Sequence, residues 1–272
     1  MTKHVSPVPD HVPPELAMLF PLTVRTISTV NPHLEMVPKL HEGPPIFWGT
    51  NIFPGPAGGW VLTRAEDLKQ VYENTTDFIK KGNAQFASMI GETWDTIPTE
   101  LDPPKHTAFR RALEPVFSPR SMAKLESKVS GRATDLIDKF KDKGQVEFIK
   151  EFATPFPVSI MLDMLGLEQG RVDEFLAWEF DILHTDNLDA RKSAIQGVKT
   201  LLMEEIEKRQ KNPTDDLISS TLNLESEGRK WTTEEVFGHC FNLFIGGLDT
   251  VTANPGLHFH HLATHPEHQR VL

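Results

Sequence analysis

The sequence predicts a mainly α-helical protein with a small β portion near its N-terminus. Three observations carry that reading. Eleven of the 21 prolines fall within residues 1–60, where helical periodicity is scarce. From Pro104 onward, apolar residues recur every three to four positions in successive segments. Several of those segments open on a capping residue or a proline and close on glycine, as helices do.

Residues 1–60 read as an extended arm with a short helix near Glu15–Phe20 and strands at Pro45–Trp48 and Gly59–Thr63. Pro54, Gly55, Pro56, Gly58 and Gly59 supply turn signals that would pair the two strands as a hairpin. Thr63 is predicted to cap a helix over Arg64–Asn74, with Glu66 three positions on completing a capping box. Phe78–Glu100 reads as a long loop with one short helical turn, and loops of that length commonly serve as lids or binding loops.

Pro104 opens a helix to about Val116, and Ser118-Pro119 opens a second one carrying Met122, Leu125, Val129, Leu136, Ile137 and Phe140, closed by Gly144. A short element at Phe148–Phe152 follows, then helices over Val158–Leu165 (ended by Gly166), Arg171–Leu183, Asp189–Arg209 and Asp216–Leu224. Thr232 or Thr233 caps the last long helix, and Thr232 has Glu235 three positions on for a capping box. Continued to Ala263, that helix would have some 30 residues and span about 45 Å. Pro255 within it lacks an amide hydrogen and clashes with the carbonyl of Val251, so a kink or break is expected there. No internal repeat or linker divides the chain, so a single domain over 1–272 is expected.

Composition narrows the function. Hydrophobic residues at 39% and charged residues at 24% describe a soluble globular protein. A net charge of -10 with no basic run argues against nucleic-acid binding. Cys240 is the single cysteine, which excludes an internal disulfide and disfavours a cysteine-based zinc site. No segment has signal-peptide character or the roughly 18 apolar residues of a membrane span, so a cytoplasmic protein is expected.

Two constellations carry chemistry. In the last long helix, Val236, Cys240, Leu243, Phe244 and Leu248 form an apolar stripe, yet Gly246, Gly247, Asp249 and Thr250 interrupt it. Each glycine in a helix costs up to ~1 kcal/mol against alanine. Spacing alone leaves two readings open: an ordinary kink, or a place where another body approaches the backbone beside a carboxylate and a hydroxyl able to move a proton. Upstream, within Leu101–Arg111, His106 and Arg110 lie four apart on one helix face. That pair is either surface charge or a clasp for an anionic group.

Together these segments resemble the cytochrome P450 family. Gly246-Gly247-Leu248-Asp249-Thr250 is similar to that family's oxygen-activating helix, and Asp102-Pro103-Pro104 followed by His106, Arg110 and Arg111 is similar to its haem-propionate motif. The resemblance implies an incomplete cytochrome P450-like fold. It also implies haem b clasped by His106 and Arg110, room for dioxygen beside Gly246 and Gly247, proton relay by Asp249, and a hydrogen bond from Thr250 to the oxygen being activated. Trp94-Asp95-Thr96-Ile97-Pro98 resembles the substrate-covering loop of camphor-type terpenoid hydroxylases, which makes Phe86, Trp94, Ile97, Leu243 and Phe244 substrate-wall candidates.

The implied activity is hydroxylation of a small apolar terpenoid-like substrate by a haem-thiolate monooxygenase, with electrons from NAD(P)H through ferredoxin reductase and ferredoxin. The family's Glu-x-x-Arg helix and haem-ligating cysteine loop are absent before Leu272, so this chain is expected to be a truncated form, inactive alone. Two other readings stay open. One is a noncatalytic helical fragment that binds an apolar ligand or a protein. The other is a metal-dependent hydrolase using His261 and His265 among His258, His260 and His268, although Leu262 stands where a zincin helix has glutamate.

Overall fold

The computed structural model describes residues 7–20, 32–50, 52, 58–82 and 85–272. The chain forms two compact units, residues 1–79 and 80–272.

In the first unit, a 3-10 turn at Pro14–Leu16 leads into strand β1 (Ala17–Leu19), where a short helix was expected. Residues 17–19 gain ladder partners in β2 (Ile46–Thr50), and that pairing replaces a continued helix. Helices α1 (Pro32–Glu35) and α2 (Val37–Glu42) precede β2. Strand β3 (Gly59–Leu62) pairs antiparallel with β2, Ile46 opposite Leu62, as the hairpin reading expects. The turn signals at Pro54, Gly55 and Pro56 lie outside the described residues. Trp48 and Trp60 meet edge-to-face across this pair at 5.5 Å.

Helix α3 (Ala65–Glu73) starts after Arg64, and Thr63 does not cap it. The Thr63 hydroxyl instead donates towards the carbonyls of Pro44 and Pro45, both at 3.2 Å, and Arg64 donates to the Gly43 carbonyl at 2.9 Å. Those bonds hold the turn before β2, and that competition removes the predicted cap.

The second unit is helical. After α4 (Gln85–Met89), helix α5 (Lys105–Leu113) buries Phe109 and Leu113. Ser118 caps α6 (Pro119–Ala123) by accepting the Ser121 amide. The expected single helix is divided here, because α7 (Glu126–Asp138) begins anew after Leu125. A π-helical turn at Ile149–Ala153 leads into α8 (Pro155–Leu165), which Gly166 ends at φ 66°. Helices α9 (Val172–Leu183), α10 (Leu188–Lys211) and α11 (Leu217–Leu222) follow. The two-residue strands β4 (Glu225–Ser226) and β5 (Arg229–Lys230) make a small ribbon before α12 (Thr233–Gly247), α13 (Asp249–Thr264) and α14 (Pro266–Gln269).

Helix α12 is the axis of this unit. Val236, Phe237, His239, Cys240, Phe241 and Phe244 are all buried, and α8, α10 and α11 pack against it. Each buried Phe side chain contributes about 1.5–3 kcal/mol relative to an exposed one. Asp216 locks the surrounding helices together. It accepts the Ser219 amide at the start of α11 and pairs with Arg209 of α10 at 2.8 Å. Arg209 in turn donates to the Gly166 carbonyl at the end of α8, at 2.7 Å. A side chain at position 166 would collide with the Asp216 carboxylate, which is the reason for glycine there.

The predicted capping box is present: Thr232 accepts the Glu235 amide at 3.2 Å, and Glu235 accepts the Thr232 amide at 2.8 Å. Arg229 holds Glu235 through two hydrogen bonds of 2.6 and 2.7 Å. Replacing Thr232 by alanine is expected to lower the unfolding free energy by ~1 kcal/mol, read as a lower midpoint in urea denaturation at unchanged slope.

Candidate functional site

The interruption of the long helix falls at Leu248, seven residues before Pro255. Leu248 has φ -101° and ψ -76°, outside the helical norm. Gly246 and Gly247 weaken the preceding turn, and the Thr250 hydroxyl donates to the Gly246 carbonyl at 2.6 Å, competing for a backbone acceptor. Helix α13 then runs through Pro255 without the expected break. Packing just after the proline accompanies this: Gly256 lies against Ile149, and Phe259 meets Phe148 at 4.3 Å between ring centres.

The two glycines of this junction face different surroundings. A Cβ on Gly247 would come within 2.5 Å of the Met161 terminal methyl of α8, whereas a Cβ on Gly246 would meet nothing within 4 Å. Gly246 therefore borders open space and Gly247 borders α8. Thr250 is exposed, and with its proton engaged by Gly246 its oxygen is left as an acceptor.

Asp249 turns to α9. Its Oδ1 lies 3.2 Å from His184 Nε2, and the same nitrogen lies 3.5 Å from Glu179 Oε1. Glu179 is almost wholly buried, and that burial pushes its carboxyl above the ordinary carboxylate range, against the opposing effect of His184 and with the Asp249 carboxylate adding to it. Neither Glu179 nor His184 was legible as a site residue: they precede Asp249 by 70 and 65 positions and carry no motif.

On α5, His106 is half-buried and Arg110 exposed, four positions apart on one face. The Arg110 guanidinium makes no hydrogen bond or ion pair among the described residues. Asp102, just before this helix, has a structural task that the motif alone did not disclose. Its carboxylate accepts the amides of Lys80 and Lys81, each at 2.8 Å, and these bonds hold its pKa below the usual value. It thereby pins the start of α5 to the beginning of the loop that precedes it.

The substrate-wall candidates gather around α12. Trp94 packs edge-on against Phe237 and Phe241, both at 4.8 Å, Phe86 meets Phe241 at 5.5 Å, and Phe244 meets Phe175 of α9 at 5.3 Å. Trp94, Ile97 and Phe244 are buried by the chain itself, while Phe86 and Leu243 keep exposed surface. The Trp94 indole N–H is engaged by the Glu92 carboxylate at 2.6 Å, and Lys199 of α10 pairs with the same carboxylate.

The loop bearing Trp94 and Ile97 is fastened to α12 through the backbone. Ile97 N–H donates to the Gly238 carbonyl at 3.2 Å, and the Ile97 carbonyl accepts from His239 Nδ1 at 3.1 Å. Thr99 adds a bond to Asn242 at 2.8 Å. Any side chain at position 238 would strike the Asp95 carbonyl at 2.2 Å, so glycine is required for this approach. His239 Nε2 is buried and unpartnered among the described residues.

Cys240 cannot serve as a metal-bound thiolate: it is fully enclosed in α12, and burial pushes its thiol up to about 12. The C-terminal histidines do not form the metal site that a hydrolase would need. His261, His265 and His268 stack at 4.2–5.4 Å, and His265 Nδ1 is taken by the His261 carbonyl at 2.9 Å. Among the described residues, the one group of three donors able to hold a metal is Glu179, His184 and Asp249. No helix among those residues is long and apolar enough to cross a membrane.

The sequence model of the family described as cytochrome P450 matches residues 39–272. The probable cytochrome P450 127A1 of Sinorhizobium fredii is 38% identical over 272 residues, covering 98% of this chain and 65% of that protein. Cytochrome P450 107B1 of Saccharopolyspora erythraea is 28% identical over 202 residues, covering 70% of this chain and 50% of that protein. Among solved structures, CYP101J2 superimposes with a TM-score of 0.78 at 26% identity, over 98% of this chain and 65% of that chain. CYP109Q5 from Chondromyces apiculatus gives a TM-score of 0.71 at 27% identity, over 89% and 60%. The chain thus spans between 50% and 65% of the length of these relatives.

Burial holds His239 down to about 4 from an ordinary 6.5, against the raising effect of its bond to Ile97. Its unfolded imidazole takes up a proton below about 6.5, while the folded one stays neutral to about 4, so stability falls as pH drops through that window. A His239→Asn variant, which keeps a donor for Ile97 and does not titrate, is expected to flatten the urea midpoint between those pH values relative to the parent.

Proposed function

The chain belongs to the cytochrome P450 family, and from that premise we propose that it supplies the propionate clasp, oxygen-side wall and proton relay of a haem-thiolate monooxygenase. The carrying observation is the junction at Leu248, where an open-sided glycine, a carboxylate and a hydroxyl stand together at the interruption of one helix. The family match runs through residue 80, the junction of the two compact units, which supports reading 1–272 as parts of one P450-like domain.

The residues present suit haem on its propionate and oxygen sides. His106 and Arg110 would hold a propionate: Arg110 is exposed with its guanidinium unengaged among the described residues, and an arginine fork matches a carboxylate. Gly246 borders open space and would leave room for the group on its oxygen side. A haem-ligating thiolate would have to come from outside these 272 residues, since Cys240 is enclosed and its thiol is pushed up to about 12. Haem with such a thiolate supplies the chemistry that inserts one oxygen atom of dioxygen into a C–H bond, using two electrons from NAD(P)H passed through ferredoxin reductase and ferredoxin.

The chain's own side chains manage position and protons. Thr250, committed to Gly246 as donor, offers its oxygen as an acceptor that fixes a water or hydroxyl on the open side of the helix. Asp249 joins that position to His184 and so to solvent, which gives protons an ordered entry. Phe86, Trp94, Ile97, Leu243 and Phe244 form an apolar wall that excludes bulk water and suits a small terpenoid-like substrate. Phe86 and Leu243 would contact the substrate, and the buried members would hold the wall in place.

Haem titration of the chain is expected to give a Soret band, weakened roughly tenfold in affinity by His106→Ala or Arg110→Ala. No haem uptake would favour a noncatalytic fragment that binds an apolar ligand or protein. In a form that includes the thiolate, the reduced carbon monoxide complex is expected to show the red-shifted band of thiolate-ligated haem. In that form, Asp249→Asn and Thr250→Ala are expected to lower turnover by about a hundredfold with substrate affinity little changed, measured as product formed per NAD(P)H consumed.

A further inference from the structure

The geometry points to a divalent transition-metal site, of the class that takes zinc, formed by Glu179, His184 and Asp249 at the contact of α9 with α13. One donor atom from each residue lies within 4.8 Å of the others. The two distances to His184 Nε2, 3.2 Å to Asp249 and 3.5 Å to Glu179, are close to the separation of ligand atoms around a tetrahedral zinc. With metal–ligand bonds of about 2.0–2.2 Å, neighbouring ligands stand roughly 3.3–3.5 Å apart. Placing a metal ion on Nε2 therefore needs little movement of these two pairs. A modest approach of Glu179 and Asp249 towards each other completes three protein ligands and leaves the fourth position open.

Glu179 provides an independent reason to expect a cation. It is 9% exposed and faces His184 Nε2 at 3.5 Å, the same nitrogen that lies 3.2 Å from Asp249. A buried carboxylate facing a second carboxylate is costly unless a positive charge sits between them. Imidazole and carboxylate donors together suit a borderline first-row ion, and the mixture disfavours the all-oxygen preference of magnesium or calcium. The exposure of His184 and Asp249, 45% and 44% for their side chains, gives the ion a path in.

Metal capture at this site would hold Asp249 and His184 in place. If Asp249 relays protons, a consequence that rests on the functional reading above, the bound ion would act as an inhibitor. Metal binding itself does not depend on that reading.

The test is titration of the chain with cobalt(II), whose visible d–d bands report four-coordinate geometry, followed by displacement with zinc. Glu179→Gln, His184→Asn and Asp249→Asn are each expected to weaken cobalt affinity tenfold or more while leaving far-UV circular dichroism unchanged. A His261→Asn/His268→Asn variant controls for the stacked histidines and is expected to bind as the parent does. Absence of the bands in the parent, their survival in all three site variants, or their loss only in the histidine control would overturn the assignment. Any one of those outcomes leaves the haem reading untouched, because haem uptake by His106 and Arg110 is measured separately.

Discussion

Burial of α12 on nearly every side is the constraint from which the rest of the second unit follows. From Glu235 to Phe241 every residue is enclosed, so no polar side chain of that stretch borders open space. It is displaced to the C-terminal end, where the helix meets open space at Gly246 and stops at Leu248. The same enclosure aligns α8, α10 and α11 around one axis and gives the loop at Trp94–Thr99 a rigid surface to attach to. A shift of α12 would move the aromatic wall and the Asp249–Thr250 junction together.

Two helix-weakening features compete along α12 and α13, and their outcome is decided by neighbours. Pro255 carries the larger intrinsic penalty, ~3 kcal/mol or more. Helix α13 nevertheless continues through it, with Gly256 against Ile149 and Phe259 against Phe148. At Leu248 the glycines contribute less packing, and the Thr250 hydroxyl offers the Gly246 carbonyl another partner. The interruption settles there, at the position where a carboxylate and a hydroxyl can face outward.

The electrostatics of the junction reach back to α9. Asp249 and Glu179 share His184, so the charge state of one side chain bears on both carboxylates. His239 shows the opposite solution: a buried imidazole kept neutral, tied to a carbonyl, and used to fasten a loop. Both histidines act near the candidate site, yet the first belongs to its charge balance and the second to its architecture.

Local patterns in the sequence determined most helices of the second unit, the β2–β3 pairing, the Thr232 capping box and the grouping of Gly246 through Thr250. Each is a short-range property, fixed by propensity, periodicity or caps within a few residues. They did not determine where Thr63 would bond, why Asp102 matters, or which partners Asp249 would find. Thr63 was drawn to the carbonyls before β2, and Asp102 to two amides more than twenty residues earlier. His184 and Glu179 reach Asp249 only because α9 and α13 converge in space. Contacts between distant segments carry no local signature, so the tertiary structure alone decided them.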